Sequence, residues 1–274
     1  MDLYPSHIAT WPRPKLEGAI KRRVQTAYLG NGVVLARILG RHKIFLRTSD
    51  RGFACHVMLD GYWEMWLTQF LASHVKPGMT VIDVGANFGY YTLLLADAVG
   101  EQGQVIAVEP NPDTVMLLRE TMLLNGYASR TKIVPCALSH QAGTAWLFSP
   151  DSEPKNALLV DRSDLPSGKT TEVPTLTLDS FALDLPKVDL VKIDAEGGER
   201  GIVAGMMQLI ARDHPTLVLE FNAARYADPA GFLKSLLDVY QSAQEINLDG
   251  GIVPLDAASV TETQSLEDRL LLFR

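Results

Sequence analysis

Four residues, Asp83, Gly85 and Gly89 in VIDVGANFGYYT and Glu109 in the following QVIAVEP, have the types and spacing to hold a small charged ligand. Asp83 stands near the end of an apolar, β-branched run. Gly85 permits a tight exit from that run, and Gly89 allows the first turn of a following helix to approach it closely. A carboxylate roughly 20 residues beyond such a turn can accept hydrogen bonds from both hydroxyls of a ribose.

The same turn is a poor clamp for pyrophosphate. A dinucleotide-binding turn carries Gly-x-Gly-x-x-Gly, whose second glycine lets the backbone approach the diphosphate. Gly85-Ala86-Asn87-Phe88-Gly89 puts a side chain there, and Asp83 adds negative charge beside the phosphate path. No Gly-Lys-Ser/Thr follows for a triphosphate loop. A ligand with ribose and adenine but no pyrophosphate fits better, which points to S-adenosyl-L-methionine. Its amino-acid end would meet the Gly85 turn, with Asp83 on its ammonium directly or through water, and Glu109 on the ribose. Asn111 and Ala137, within Cys136-Ala137-Leu138, are secondary candidates for the cofactor site; both also suit purely structural roles.

A second concentration of chemistry lies in VDLVKIDAEGGER (Val188 to Arg200). On an extended strand Lys192 and Asp194 point to the same side. The break at Glu196-Gly197-Gly198 lets Glu196 or Glu199 turn toward a ligand, although Glu199 also suits the start of a helix. Methyl transfer to a hydroxyl needs an aligned oxygen and a route for its proton. Asp194 is the candidate base or orienter, with Lys192 and Glu196 beside it. Glu220 and Asn222, at the end of TLVLEFN, are expected to face the same cleft and bind the acceptor. In the polar insertion Asp151 to Thr170, Asn156 and Arg162 are candidate donors to sugar oxygens or a carboxylate. A metal is not expected, since no tight ligand motif is present and the reaction does not require one.

The elements that must position these residues are compact. TVIDV, QVIAVEP, TKIVPCAL, VDLVKID and TLVLEF read as buried parallel strands. Helical patterns at Gly89 to Ala98, Asp113 to Asn125, Gly198 to Ala211 and Asp228 to Tyr240 separate several of them. The alternation predicts an α/β, doubly wound, mostly parallel sheet with ligands beyond the carboxyl ends of its strands. INLDGGIVPL reads as a late strand pair. Upstream, Pro5, Pro12 and Pro14 suggest a loose arm over 1–15, then a short helix over Lys15 to Leu29 and a hairpin from Val33–Ile38 and Lys43–Leu46. GYWEMWLTQFLASHV places Tyr62, Trp66 and Phe70 on one helical stripe, with Glu64 free to project toward a pocket. The expected organisation is an N-terminal arm, helix and hairpin over 1–59, then a domain over 60–274 carrying a hairpin-like insertion at 140–178.

VIDVGANFGYYT, AVEPNP and DLVKIDAEGGER together resemble the FkbM-family methyltransferases, over most of Asp60 to Tyr240. The resemblance implies a Rossmann-like methyltransferase fold and S-adenosyl-L-methionine as donor, with transfer commonly to oxygen on sugars or natural products. It further implies Asp83, Gly85, Asn87 and Gly89 around the methionine portion, Glu109 on the ribose, and Glu64 near the cofactor. The expected acceptor is a hydroxyl of a carbohydrate or glycosylated small molecule. A polyketide or other secondary metabolite, and a noncatalytic S-adenosyl-L-methionine-binding protein, are the alternatives.

Bulk properties agree with a small-molecule enzyme. The 274 residues are 47% apolar and 21% charged, ordinary for a globular chain, and the net charge of -7 argues against a nucleic-acid partner. Cys55 and Cys136 read as isolated thiols. No transmembrane segment is expected, and the proline-broken start lacks a signal pattern, so the expected location is cytoplasmic. Homo-oligomerisation is left open.

Overall fold

The computed structural model describes residues 2–149, 158–160, 169–182, 184–262 and 267–274, with only the backbone of Ser149, residues 158–160 and Lys169. The chain begins with α1 (Pro5–Thr10), α2 (Arg13–Lys21), β1 (Thr26–Gly30), β2 (Val33–Ile38), β3 (His42–Arg47), α3 (Phe53–Asp60) and α4 (Met65–His74). It continues through β4 (Thr80–Val84), α5 (Tyr90–Ala98), β5 (Gln104–Val108), α6 (Pro112–Leu124) and β6 (Thr131–Val134). Next come β7 (Ala137–Leu138), β8 (Gly143–Ser149), β9 (Leu158–Val160), β10 (Lys169–Leu176) and α7 (Leu178–Ala182). Then follow β11 (Leu190–Ile193), α8 (Glu199–Ala204), α9 (Met207–Asp213), β12 (Thr216–Phe221) and α10 (Pro229–Leu237). The last elements are β13 (Ala243–Ile246), β14 (Ile252–Pro254), α11 (Ala257–Val260) and β15 (Arg269–Phe273).

The central sheet has the order β14-β13-β15-β12-β11-β4-β5-β6. The run β12-β11-β4-β5-β6 is parallel, and β15 inserts antiparallel between β12 and β13. The chain leaves β4 for β5 and β6 on one side and later returns to β11 and β12 on the other. That reversal opens a crevice at the carboxyl ends around β4.

Strand alternation divides the core between the two faces of this sheet. Val81, Val105, Leu190 and Val218 join one hydrophobic cluster with residues of α1 to α6, whereas Ile82, Ile106, Val191 and Leu217 join another with residues of α7 to α10. By the same alternation Asp83 and Lys192 share the first face, and they are register partners across β4 and β11. The N-terminal elaboration belongs to that face's core: Ile8, Leu16 and Ile38 cluster with Leu93 and Leu94 of α5.

Several local expectations change. Residues 1–15 contain helices because Pro5 opens α1 and Pro14 sits in the first turn of α2, where no intrahelical N–H is lost. The helix expected through Leu29 stops at Lys21, and β1 joins the β2–β3 hairpin as a third, antiparallel strand. TKIVPCAL splits at Pro135 into β6 of the central sheet and β7 of a second sheet, ordered β7-β10-β8-β9. Antiparallel β8 and β10 form the hairpin-like part of the insertion. The candidate acceptor contacts Asn156 and Arg162 lie outside the described residues.

The single helix expected over Gly198 to Ala211 breaks into α8 and α9 at Gly205. Its carbonyl accepts the Asp179 N–H at 2.9 Å, while the Asp179 carboxylate receives the N–H groups of Gln208 and Leu209 at the start of α9. A Cβ on Gly205 would lie 2.2 Å from the Ser139 carbonyl oxygen. Gly205→Ala is therefore expected to destabilise the fold by about 1–3 kcal/mol. Gly143→Ala, whose nearest neighbour would be 3.6 Å away, should be close to neutral in the same denaturant titration. Equal midpoints would show that the backbone contact at Gly205 yields freely.

Candidate active site

A cavity of about 490 Å³ opens at the crevice around β4. Gly85 to Phe88, Glu109 to Asn111 and Cys136 to Leu138 line it, as do Glu64, Tyr91, Lys192, Asp194, Glu196 and Glu220. The N-terminal elaboration contributes Arg47, Asp50 and Phe53 to the same wall. The insertion contributes Leu147 of β8.

Gly85 has φ +76, and its N–H donates to the Val108 carbonyl at 3.0 Å. A Cβ there would fall 1.8 Å from the Asp194 backbone oxygen, so the missing side chain lets the end of β11 close against the turn. Asn87 is also left-handed, at φ 50, and its N–H donates to Glu109 Oε2 at 3.0 Å. Asn111 N–H donates to Glu109 Oε1 at 2.9 Å, while the Asn111 side chain caps α6 by accepting from Asp113 N–H. Burial pushes the Glu109 carboxyl up to about 7, against the two N–H donors that favour its charged form. Each Glu109 oxygen has a second lone-pair direction for a ligand hydroxyl. Ala137 is buried in the cavity wall. Gly89 lies behind the wall: a Cβ there would be 2.5 Å from Leu118 Cδ1, so this glycine packs α5 against α6.

Asp83 is corrected in the same way. Its side chain is fully buried and does not line the cavity, so direct contact with a ligand ammonium is excluded in this conformation. Oδ2 accepts the Thr92 hydroxyl at 2.7 Å, and Oδ1 faces Lys192 Nζ at 3.5 Å. Lys192 Nζ also donates to Asp194 Oδ2 at 3.3 Å and stands 4.8 Å from the centre of the Tyr91 ring. Burial works against the ammonium, but the carboxylates of Asp194, Asp83 and Glu64 outweigh it and hold Lys192 above the ordinary lysine range. Tyr91 in turn donates its hydroxyl to Glu64 Oε2 at 2.6 Å. Burial pushes the Glu64 carboxyl up to about 7.

The remaining acids gather on Arg225, which the sequence reading did not single out. Its guanidinium meets Glu196 Oε2 at 3.0 Å, Glu220 Oε2 at 3.0 Å and Asp268 Oδ1 at 3.1 Å. Burial first, then the carboxylates of Asp194 and Asp268, push the Glu220 carboxyl upward; Arg225 opposes them. Glu199 turns away from the cavity. Its Oε1 accepts N–H from Ala195 and Gly197, and its Oε2 accepts the Tyr226 hydroxyl, so it shapes the loop carrying Glu196. Asn222 is likewise corrected: it does not line the cavity, and its side chain caps Ala224 N–H and donates to Asp268. Among the described residues, no group of three or more His, Cys, Asp or Glu is arranged to hold a metal ion.

Thr92 and Tyr91 lie within VIDVGANFGYYT, yet nothing in their types marks them as partners of Asp83 and Glu64. Arg225 and Asp268 are far apart in sequence and meet only because β15 inserts beside β12.

The sequence model of the Methyltransferase FkbM domain matches residues 83–246. The chain is 26% identical over 215 residues to 31-O-demethyl-FK506 methyltransferase FkbM of Streptomyces tacrolimicus, covering 67% of this chain and 76% of that protein. A shorter match, 49% identical over 47 residues, is to Protein-L-isoaspartate O-methyltransferase 1 of Arabidopsis thaliana, covering 17% of this chain and 20% of the relative. The chain spans 20%, 39% and 29% of the lengths of three such isoaspartate methyltransferases. A crystal structure of methyltransferase FkbM from Methylobacillus flagellatus has 17% identity and a TM-score of 0.48, covering 72% of this chain and 44% of that one. Among the described residues, no helix is long and apolar enough to cross a membrane.

The Arg225 cluster has a pH signature. Glu220 is already raised in the folded protein, and without the guanidinium it would be raised further, so the variant's folded state would keep its proton to higher pH than the wild type's. Stability then falls as pH rises. Arg225→Met is expected to cost about 1–3 kcal/mol, with the deficit growing from about pH 8 to about pH 10, as wild-type Glu220, raised to about 9, gives up the proton that the variant still holds. Melting curves across that range check it, and a pH-independent deficit would mean lost packing alone.

Proposed function

The chain belongs to the FkbM methyltransferase family, and we propose that it is an S-adenosyl-L-methionine-dependent O-methyltransferase acting on a hydroxyl of a carbohydrate or glycosylated small molecule. The observation that carries the donor assignment is Glu109. A buried carboxylate at the mouth of β5, oriented by two backbone N–H groups, suits a ribose diol. The neighbouring turn bears the Asn87 side chain where a diphosphate would need bare backbone. Gly85 and Asn87 would hold the methionine portion, and Asn111 and Ala137 the adenine end. S-adenosyl-L-methionine, when bound, supplies an electrophilic methyl group on a sulfonium.

The acceptor reading rests on the rest of the cavity. Asp194, Glu196 and Glu220 offer oxygens to hydroxyl donors, while Phe53 and Trp63 offer flat apolar rings in the same space. Their edge-to-face contact, with centroids 5.3 Å apart, stiffens that wall. A polyol presents both hydroxyls and C–H faces to such a lining. Lys192 holds Asp194 in place to orient the acceptor oxygen, and Arg225 holds Glu196 and Glu220 beside it. Much of the rate would come from this alignment. A second reading, a nonsugar hydroxyl, draws on the Streptomyces relative named for 31-O-demethyl-FK506.

Glu109→Ala should weaken S-adenosyl-L-methionine binding by about 1–3 kcal/mol through lost ribose hydrogen bonds. Isothermal titration should show that loss while circular dichroism stays near wild type. Unchanged affinity would remove Glu109 from the donor site.

A labelled-methyl screen over matched saccharides, glycolipids, polyketides and small phenols tests the acceptor class. Transfer to a sugar hydroxyl is expected, and deletion of that hydroxyl should abolish turnover. With the confirmed acceptor, Asp194→Asn should lower kcat/KM and leave donor affinity nearly unchanged. Exclusive labelling of nitrogen or carbon in a nonsugar compound would reject the acceptor reading, and donor binding without any transfer would favour a binding protein.

A further inference from the structure

Glu64 occupies the position preceding α4 where a short acceptor side chain ordinarily turns back to cap the helix amides. It makes no such bond. Its backbone instead takes φ 35, in the left-handed region that a glutamate adopts only under constraint. The constraint is visible. Thr68 donates its N–H to the Glu64 carbonyl and its hydroxyl to the Trp63 carbonyl, and the Thr68 oxygen also meets the buried Tyr90 hydroxyl at 3.0 Å. The outcome is a carboxylate in the cavity wall, held by the Tyr91 hydroxyl.

Resting on the O-methyltransferase reading above, we propose that Glu64 is the group that takes the proton from the acceptor hydroxyl. As the new oxygen–methyl bond forms, the methyl–sulfur bond breaks and its electron pair stays on sulfur. The acceptor O–H proton passes to the Glu64 carboxylate, and from there to water. Asp194 is the obvious competitor, but it meets the buried Lys192 ammonium directly at 3.3 Å, so a proton there breaks an ion pair, whereas Glu64 acts on Lys192 only at longer range. A proton on Glu64 leaves the Asp83–Lys192–Asp194 chain of charges whole. The groups facing Glu64 also suit a reversible proton acceptor. Burial raises it, Tyr91 of α5 lowers it, Asp194 raises it, Lys192 of β11 lowers it and Asp268 raises it, with the balance at about 7.

The test begins with the pH profile of methyl transfer. Wild type should show a limb rising through about pH 7. Glu64→Gln should lose that limb and fall about 100-fold or more in kcat, with S-adenosyl-L-methionine affinity by calorimetry unchanged. Tyr91→Phe removes a hydrogen bond that favours the charged carboxylate, so its limb should move to higher pH. In the cofactor-free protein, carbon-13 NMR of labelled glutamate should show resonances of Glu64 and Glu109 titrating near 7, and the Glu64 resonance is the one absent in Glu64→Gln and displaced upward in Tyr91→Phe. A Glu64→Gln protein with the wild-type rate and limb overturns the assignment. So does one whose main defect is lost donor affinity, since Glu64 would then be a donor contact, and so does a Glu64 resonance whose titration Tyr91→Phe leaves in place. A wild-type chain that binds donor but transfers to no acceptor overturns the functional reading, and this assignment with it.

Discussion

A lysine ammonium buried between two parallel strands is the constraint on which the site depends. Taking such a charge out of water costs several kcal/mol unless carboxylates and good geometry compensate. Lys192 meets that condition only because β11 and β4 pair in the register that sets it beside Asp83, and because Asp194 curls back past the strand end. A slip of one residue would turn Lys192 to the opposite face, into the cluster containing Val191 and Ile193. The ion pair therefore depends on the register of the two strands that flank the crevice. It also places the cation over the Tyr91 ring and thereby ties α5 to the cavity wall.

The second constraint is steric. Gly85 brings the β4 turn into contact with the Asp194 backbone, so Glu109 and the acids Asp194, Glu196 and Glu220 belong to one space. Burying so many carboxylates together carries a cost, visible as the upward push that burial first, and neighbouring carboxylates after it, exert on Glu64, Glu109 and Glu220. Arg225 offsets part of it by meeting three acids at once. The excess negative charge that remains is compatible with a donor bearing a sulfonium and an ammonium.

The N-terminal elaboration takes part in this directly. Its helices share the core of α4 and α5, and Phe53 stacks near Phe88 of the glycine turn with centroids 6.3 Å apart. Phe53 and Trp63 enclose the cavity from a part of the chain that the family match, beginning at residue 83, does not cover.

The sequence by itself determined the central strands, because runs such as TVIDV and VDLVKID are buried on both faces and have no other stable use. It also determined the positions of Glu109 and the two glycines, since turn stereochemistry and strand-end placement are local properties. Tertiary structure alone decided what those residues do. Asp83 became a partner for Lys192 and Thr92, Gly89 a helix-packing residue, and Asn222 a donor to Asp268, because each depends on a neighbour brought from elsewhere in the chain. Arg225 acquired its role from three carboxylates on separate segments, and Gly205 broke a helix to meet the Ser139 backbone. Local periodicity predicts where a strand ends, but an ion pair or a close backbone contact exists only when two such ends are brought together.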